Sequence, residues 1–434
     1  MAGVCYRGTA VSLTPVSLDA DSRAFRIACS LADAGLRSLV IEGRPSASRF
    51  WGAEIEVRSP GNPGAAPSAA SGGGGSVRRV VNAMRGGRFG GAGELALYAG
   101  FRSFDWWRHC HQPNRRLPPA ELYYLHSFEL HRAVASMAAR LGARVIYDAH
   151  DFYRGIEPVE RQRSFDRNRM RPFLNRLEDR LVAEAAAVVT VSDGIAELIE
   201  CAFGRRPVVI RNCHDERLDR AAIPDLRTAL GLTSEHSLCV VVGNRKPGMA
   251  IAVAVDAIAL LPERFHLAFV GRGYAAQAQR LLQHPLAARV HFGHFTEPDK
   301  IVPFIRSADL GLVIYEPYSA NYHRALPNGF FQIVAAGLPL VRAPLPEIEA
   351  AIAGNTVGIC LERCDPPTLA RAILDCTEHQ KMLRRNSSAL ARELRWELES
   401  ARLQRLIEDV LGRPAATLGG SANRDRGSLI PMVS

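Results

Sequence analysis

Short apolar runs and longer stretches with helical spacing alternate along most of this chain. The apolar runs, each typical of a buried strand, cover residues 9–16, 38–41, 121–126, 144–147, 187–191 and 207–210 in the first half, and 237–243, 265–270, 289–292, 310–314 and 358–361 in the second. Between them, apolar residues recur every three to four positions, which predicts helices. Strands that alternate with helices form parallel sheets covered by helices. The pattern therefore predicts an α/β protein.

The length of 434 residues fits two domains of about 200 residues each. We expect a first Rossmann-like domain over residues 1–212, a linker over 213–236 and a second Rossmann-like domain over 237–380. In such doubly wound sheets, ligands bind at the carboxyl ends of the strands. The loop at 18–22, which follows the first strand, is therefore a candidate ligand loop.

Two parts of the chain do not follow the strand and helix pattern. Residues 60–76 consist mainly of Gly, Ala, Ser and Pro, and 86–93 are rich in glycine, so we predict a flexible insertion at about 60–95. It is either a disordered surface segment or a loop near the ligand site of the first domain. Residues 413–434 hold few apolar anchors and are expected to form a loose tail.

The composition is that of a globular protein, with 47% hydrophobic and 23% charged residues. Lys and Arg outnumber Asp and Glu by 54 to 44, which gives a formal net charge of +10. Anionic substrates, an anionic membrane surface or a bias toward arginine would each account for this excess. The sequence carries no nucleic-acid-binding motif, so we expect no nucleic-acid partner.

Cysteine usage and hydropathy bear on location. The nine cysteines are odd in number and include no Cys-x-x-Cys pair, which is typical of reduced thiols in the cytoplasm. No apolar run approaches the roughly 20 residues of a membrane span, and the N-terminus lacks the apolar core of a signal peptide. We therefore expect a cytoplasmic protein, and attachment to the inner face of the membrane stays open.

A basic stretch at 161–180 bears on that alternative. It contains seven arginines together with apolar residues that give one side a hydrophobic character. Such a helix can lie on anionic lipid. A solvated helix face accounts for the same pattern equally well, so both interpretations are retained.

The stretch from residue 310 to 341 is built like a ligand site. A buried strand is followed by a polar loop, and Pro327, Asn328 and Gly329 then break the chain just before an apolar helix. A helix that begins after a strand and a loop directs free backbone N–H groups outward, where they can bind an anion. We predict such a site at Asn328 and Gly329.

Two further loops of the second half follow buried strands. One contains Gly243, Arg245 and Lys246, whose two cations suit phosphate binding. The other contains Gly271 and Arg272, where glycine allows the backbone to approach a ligand closely. The alternatives are a solvated loop with chance charges for the first and an ordinary tight turn for the second.

The first half offers polar residues at two strand ends. His150 and Asp151 follow the strand at 144–147, while His126 ends the strand at 121–126 and Glu129 follows it. Both positions lie on the rim where ligands bind in doubly wound sheets. The alternatives are a structural histidine at 150 and a helix N-terminus at 127, with Ser127 as the cap and Glu129 in the first turn.

The segment that contains Tyr315-Glu316-Pro317, Leu326-Pro327-Asn328-Gly329-Phe330-Phe331-Gln332 and Ala335-Ala336-Gly337-Leu338-Pro339 resembles the donor-binding motif of family 4 glycosyltransferases. Arg324 and Gln332 stand where that family carries two glutamates. The resemblance implies the GT-B fold, in which two Rossmann-like domains face a cleft. It also implies that the C-terminal helix at 381–412 returns to the first domain.

For this chain the resemblance implies transfer of a hexose-type sugar from a nucleotide-diphosphate sugar to an acceptor hydroxyl, with retention of configuration. Arg245, Lys246 and the amides near Asn328 would hold the diphosphate without a metal or a further cofactor. The remaining implied donor contacts are Gly243, Gly271, Arg272, Pro327, Gly329 and Gln332. His150 and Asp151 would act on the sugar and the acceptor, while His126 and Glu129 would line the acceptor side.

The expected partners are the nucleotide sugar and a carbohydrate or lipid-linked acceptor, in polysaccharide or glycolipid assembly. An epimerase of similar fold and a nucleotide-sugar-binding scaffold without turnover are the rival interpretations. The substitutions at Arg324 and Gln332 favour the scaffold among these rivals.

Overall fold

The computed structural model describes residues 6–46, 55–59, 117–155, 161–220, 224–316 and 318–413. The predicted insertion at about 60–95 and nearly all of the predicted tail lie outside these ranges. Seven parallel strands form the N-terminal sheet in the order β3-β2-β1-β4-β5-β6-β7. Their bounds are β1 Thr9–Thr14, β2 Arg37–Glu42, β3 Ile55–Arg58, β4 Leu122–Leu125, β5 Arg144–Asp148, β6 Ala187–Thr190 and β7 Val208–Val209.

A second sheet of six parallel strands forms the C-terminal domain, in the order β10-β9-β8-β11-β12-β13. Its strands are β8 Ser237–Val242, β9 Phe265–Val270, β10 Val290–His294, β11 Leu310–Val313, β12 Leu340–Arg342 and β13 Gly358–Cys360. β9 and β11 are buried along their whole length, as expected for strands that helices cover on both faces. The predicted pair of Rossmann-like, doubly wound domains is confirmed.

Helices cover both sheets. In chain order the α-helices are α1 Ser22–Asp33, α2 His131–Leu141, α3 Arg161–Glu184, α4 Asp193–Phe203, α5 Leu226–Ala229, α6 Ile251–Ala259, α7 Ala275–Leu281, α8 Ile301–Ile305, α9 Ala320–His323, α10 Asn328–Ala335, α11 Pro346–Ile352, α12 Pro366–Glu378, α13 Gln380–Glu393 and α14 Trp396–Leu411. Short 3-10 turns lie at Leu18–Ala20, Phe128–Leu130, Tyr153–Gly155 and Glu216–Leu218.

Side chains cap several of these helices. At α1 the carboxylate of Asp21 accepts the amide of Ala24 at 3.0 Å, and at α4 the hydroxyl of Ser192 accepts the amide of Ile195 at 3.3 Å. Such caps satisfy backbone donors that a helix start leaves without partners. α10 differs, because its N-cap residue is Pro327, which makes no side-chain hydrogen bond to the helix.

The C-terminal end contains two helices where the sequence predicts a single one over 381–412. α13 packs against α10 of the C-terminal domain, whereas α14 packs against α1 of the N-terminal domain. The chain turns at Leu394 and Arg395, which adopt non-helical backbone angles. The turn lets Trp396 reach the N-terminal core, where its indole N–H donates to the Ser30 hydroxyl at 3.0 Å. Because the apolar residues of the two helices face different domains, one straight helix could not bury both sets.

The basic stretch at 161–180 lies within α3, a 24-residue helix with Pro172 inside it. The side chains of 161–171 lie outside the described part of the chain, so the predicted lipid-facing side stays a prediction. Within the described ranges, no helix combines the length and the apolar character that spanning a membrane requires.

Candidate functional site

The two sheets present their switch points to each other. In the N-terminal sheet the strand order reverses between β1 and β4, and in the C-terminal sheet it reverses between β8 and β11. The loops after these strands diverge and leave a crevice, where ligands bind in doubly wound folds. Here both crevices open into one cavity of about 770 Å³, lined by residues of both domains. We call this cavity the interdomain cleft.

The loop after β8 supplies the cations on the C-terminal wall. Its backbone is fixed, because the Arg245 amide donates to the Arg272 carbonyl at 2.8 Å and the Tyr274 hydroxyl donates to the Gly243 carbonyl at 2.9 Å. Arg245 and Lys246 line the cleft with exposed side chains. Neither forms an ion pair with an acidic residue in the described part of the chain. Both charges are therefore available to an anionic ligand.

The start of α10 lies against this loop because Gly329 has no side chain. A Cβ at Gly329 would stand 2.3 Å from the carbonyl oxygen of Val242, closer than any real contact. Gly271 allows a similar approach, since a Cβ there would stand 2.1 Å from the Gly243 carbonyl oxygen. The uncapped helix N-terminus and the two cations thus share one wall of the cleft, an arrangement suited to a diphosphate.

This close approach predicts the effect of a single methyl group. Gly329→Ala would push the start of α10 away from β8, so we expect binding of a nucleoside diphosphate in the cleft to weaken about tenfold. Isothermal titration calorimetry checks the change. Gly337→Ala is the matched control, because Gly337 ends the same helix with a φ of +69° and lies away from the cleft. Equal loss of affinity in both variants would contradict this role of Gly329.

Polar side chains of α10 also reach the cleft. Asn328 and Gln332 both line it. The Oδ1 atom of Asn328 is buried and has no hydrogen-bond partner among the described residues. A buried polar atom without a partner costs free energy, so a ligand or a water that binds it gains a ready hydrogen bond.

The N-terminal wall is built around a buried ion pair. Arg23 of α1 makes two hydrogen bonds to Asp148, at 2.7 and 2.9 Å, although the residues lie 125 positions apart in the sequence. Both side chains are buried. Burial opposes ionisation of Asp148, but the adjacent Arg23 guanidinium and His126 outweigh it and lower the pKa of this carboxyl group.

Asp148 also orients His126. The Nδ1 atom of His126 lies 3.1 Å from Asp148, while its Nε2 atom is buried without a hydrogen-bond partner among the described residues. The ring lines the cleft. A carboxylate on one ring nitrogen fixes the orientation of a histidine and favours the tautomer that carries a proton on that nitrogen. When the ring is neutral, the other nitrogen of His126 can accept a hydrogen bond from a ligand hydroxyl.

Further titratable residues line this wall, among them Asp21, His150 and Asp151. His150 lies 3.9 Å from Asp151, and Asp21 is near both cleft histidines. Burial would raise the pKa of Asp21, but His126, the Ala24 amide, His150 and the Thr14 hydroxyl together lower it. Asp21 therefore carries a negative charge at neutral pH. The cleft is thus lined by cations on the C-terminal side and by carboxylates and histidines on the N-terminal side.

Two family profiles match the chain. The Glycosyl transferase 4-like domain matches residues 23–213, and the Glycosyl transferases group 1 domain matches residues 236–379. The chain belongs to the family 4-like glycosyltransferases of GT-B fold. The predicted membership, the fold and the enzyme class are thereby confirmed. A comparison with curated protein sequences found no match.

Solved structures of low sequence identity share the whole fold. Sucrose-phosphate synthase from Thermosynechococcus elongatus is 14% identical with a TM-score of 0.64, and the match covers 93% of this chain and 99% of the other. HepE from Anabaena in complex with UDP-glucose is 16% identical with a TM-score of 0.62, covering 93% and 100%. A glycosyltransferase from Rickettsia africae is 12% identical with a TM-score of 0.58, covering 94% and 99%.

Most of the residues predicted for the site meet in the cleft of this glycosyltransferase. The predicted residues that line it are His126, His150, Asp151, Gly243, Arg245, Lys246, Gly271, Pro327, Asn328, Gly329 and Gln332. Residues that the sequence pattern did not predict for the site also line it, among them Arg23, Asn212, Tyr153 and Asn321. Arg23 directly follows the predicted ligand loop at 18–22, and this position was the only local indication of its role. Its burial depends on pairing with Asp148, which lies 125 positions away in the sequence.

Two predicted residues of the glycosyltransferase do not line the cleft. Arg272 instead pairs with Asp19 of the N-terminal domain at 3.3 Å and lies 3.8 Å above the ring of Phe295. Glu129 is half-buried in the 3-10 turn after Ser127, which matches the alternative of a helix first turn. That alternative also named Ser127 as a side-chain cap, but its hydroxyl makes no capping bond.

Arg324, which stands at a family glutamate position, is also absent from the cleft lining. Its guanidinium lies between two glutamates, 3.4 Å from Glu197 and 3.6 Å from Glu347. Glu197 belongs to α4 of the N-terminal domain, whereas Glu347 belongs to α11 of the C-terminal domain. The arginine therefore lies at the contact between the domains and leaves the cleft unobstructed.

Proposed function

We propose that this glycosyltransferase moves a hexose-type sugar from a nucleotide-diphosphate sugar to an acceptor hydroxyl, with retention of configuration. One observation carries the proposal. Arg245, Lys246 and the uncapped start of α10 share one wall of the cleft, opposite the histidines and carboxylates of the other wall. Such a wall is suited to a diphosphate leaving group.

For the donor we propose a UDP-sugar, with UDP-glucose as the first candidate. The support is the structural likeness to HepE, which was solved in complex with UDP-glucose, and in separate structures with UDP and with UDP and glucose. The diphosphate would lie between Lys246 and the amides of Asn328 and Gly329. Gln332, at a family glutamate position, would bind hydroxyl groups of the ribose or the sugar, since its amide both donates and accepts.

Cleavage of the bond between the sugar and the diphosphate leaves negative charge on the phosphate oxygens. Arg245 and Lys246 would stabilise this charge, assisted by the helix N-terminus, so the proposed step needs no metal ion. His150 would position the sugar, and Asp151 would accept the proton of the acceptor hydroxyl. His126, held by Asp148, would accept a hydrogen bond from a substrate hydroxyl through Nε2.

For the acceptor we propose a carbohydrate or a lipid-linked carbohydrate, with the reaction in the cytoplasm or at the inner face of the membrane. The net charge of +10 supports contact with anionic lipid. Polysaccharide or glycolipid assembly is the corresponding process.

A panel of nucleoside diphosphates and their sugars tests the proposal. UDP is expected to raise the midpoint of thermal unfolding, because a ligand that binds the folded state stabilises it. UDP release from UDP-glucose, with and without EDTA, then reports turnover. Binding without any release would favour a scaffold, and a changed sugar with no acceptor would favour an epimerase. If no nucleotide shifts the unfolding midpoint, the proposed function is wrong.

A further inference from the structure

A segment of the C-terminal domain docks on the N-terminal domain beside the cleft. It consists of Ser319, α9 and Arg324, and it contacts the N-terminal segments 151–155 and 192–197. α9 is short but defined, because the Ser319 hydroxyl accepts the Tyr322 amide at 3.4 Å. We call this contact region the seam.

Asn321 lies at the centre of the seam and uses both ends of its side-chain amide. Its Oδ1 atom accepts the backbone N–H of Phe152 at 2.7 Å. Its Nδ2 atom donates to the carboxylate of Asp151 at 3.1 Å. Asn321 is 4% exposed. A side chain of one domain thus holds two consecutive residues of the other domain.

The surrounding contacts leave little room for another arrangement. The Ser192 hydroxyl donates to the Arg324 carbonyl at 3.3 Å, next to the ion pairs of the Arg324 guanidinium. At Gly194 a Cβ would stand 2.1 Å from Glu347 and 2.6 Å from the Arg324 side chain. A larger residue at position 194 would therefore require the side chains of Glu347 and Arg324 to shift.

The segment held by Asn321 contains two residues of the proposed site, His150 and Asp151. The sheet fixes this segment as far as Ala149, whose amide donates to the Val189 carbonyl at 2.8 Å. Beyond Ala149, the Asp151 carboxylate and the Phe152 amide are directed to Asn321. If the seam separates, the Asp151 carboxylate and the Phe152 amide lose their hydrogen bonds to Asn321 and become solvated by water.

We propose that Asn321 is a positioning residue, which fixes the segment from His150 to Phe152 from the opposite domain so that this side of the site is complete only while the seam is docked. The contact follows from the geometry, whereas its consequence for turnover rests on the proposed glycosyl transfer. Asn321 acts through Asp151 and Phe152, so its loss should change the rate constant for turnover more than the affinity for UDP.

Hydrogen–deuterium exchange of the Phe152 amide tests the contact without any ligand. In the unmodified protein this amide should exchange slowly, and Asn321→Ala should accelerate its exchange by about tenfold or more. Arg324→Glu, which brings a third carboxylate between Glu197 and Glu347, should accelerate it as well. Arg280→Ala is the control, because Arg280 is an exposed residue of α7. Unchanged exchange at Phe152 in both seam variants would overturn the proposal.

The pH dependence of Asn321→Asp separates positioning from a general loss of structure. Its carboxyl group would face that of Asp151. At high pH both groups are ionised and repel each other, whereas at low pH a shared proton lets them form a hydrogen bond. The other titratable groups near Asp151 are His150, Tyr153 and Tyr322. We expect the rate of UDP release from UDP-glucose, relative to the unmodified protein, to rise about tenfold from pH 8 to pH 5.

For Asn321→Ala, the rate of UDP release relative to the unmodified protein should not change between pH 8 and pH 5. Both variants should bind UDP with a dissociation constant within about threefold of that of the unmodified protein. A flat ratio for Asn321→Asp, or a large loss of UDP affinity, would contradict the positioning role. If the unmodified protein releases no UDP, the proposed function fails, and the exchange of Phe152 still decides whether the seam holds the segment.

Discussion

Replacing Arg245 and Lys246 together with alanine is expected to weaken UDP binding by at least about a hundredfold. A hydrogen bond from a charged group contributes about 1.5–3 kcal/mol, so the loss of two corresponds to a factor of about 10² or more. Both residues lie in a loop that backbone hydrogen bonds hold in place, and both are exposed to the cleft. Their removal should therefore leave the fold intact. Calorimetric titration with UDP measures the effect.

The matched control is Arg280→Ala together with Arg306→Ala. These are exposed arginines of the same domain that lie outside the cleft, and their removal changes the net charge equally. The control should retain UDP affinity within about twofold, because distant exposed charges are screened by salt. If both double variants lose affinity equally, the effect belongs to the overall charge and the proposed diphosphate site is wrong.

Arg23→Ala is expected to destabilise the protein by about 3–5 kcal/mol, because it leaves Asp148 as a buried charge without its partner. Arg23 and Asp148 are 4% and 0% exposed, so solvent screens the charges of this pair little in the folded protein. The folded pKa of Asp148 lies below its ordinary value, so the stabilisation is present above that ordinary value and is lost only as the pH falls through the lowered one. Urea unfolding at pH 7 therefore measures the full effect.

An exposed pair provides the comparison. Arg37 and Glu56 also form an ion pair, at 2.8 Å, but their side chains are 53% and 40% exposed. Arg37→Ala should cost less than about 1 kcal/mol, because water solvates both groups once they separate. Arg23→Ala with Asp148→Asn should recover part of the lost stability. A cost for Arg23→Ala as small as that for Arg37→Ala would show that the buried pair does not hold the N-terminal wall together.

Sequence patterns predicted most of the strands because the inner strands of both sheets are largely buried and therefore read as apolar runs, whereas the half-buried edge strand β3 was not predicted. The strand predicted over 265–270 coincides with β9, and the break at Pro327, Asn328 and Gly329 coincides with the start of α10. Glycines and cations at strand ends located the C-terminal wall of the cleft, because ligands bind at the carboxyl ends of the strands in doubly wound sheets. These signals are local, so a single sequence contains them.

Contacts between distant residues could not be predicted in this way. Arg23 lies in the first turn of a helix, where an arginine is ordinarily exposed, and its burial follows from pairing with Asp148 across the sheet. Arg324 lies eight residues before Gln332, as the first family glutamate does, yet it contacts Glu197 of the other domain. Arg272 similarly pairs with Asp19. Each case depends on tertiary structure, within the N-terminal domain for Arg23 and between the domains for Arg324 and Arg272, which no local pattern records.

A crystal structure with UDP would locate the diphosphate and so decide whether the proposed site exists. We expect phosphate oxygens within hydrogen-bond distance of Lys246 and of the backbone N–H groups at the start of α10, with His150 on the opposite wall. UDP bound elsewhere on the protein, or a diphosphate in the cleft that contacts neither Lys246 nor α10, would contradict it.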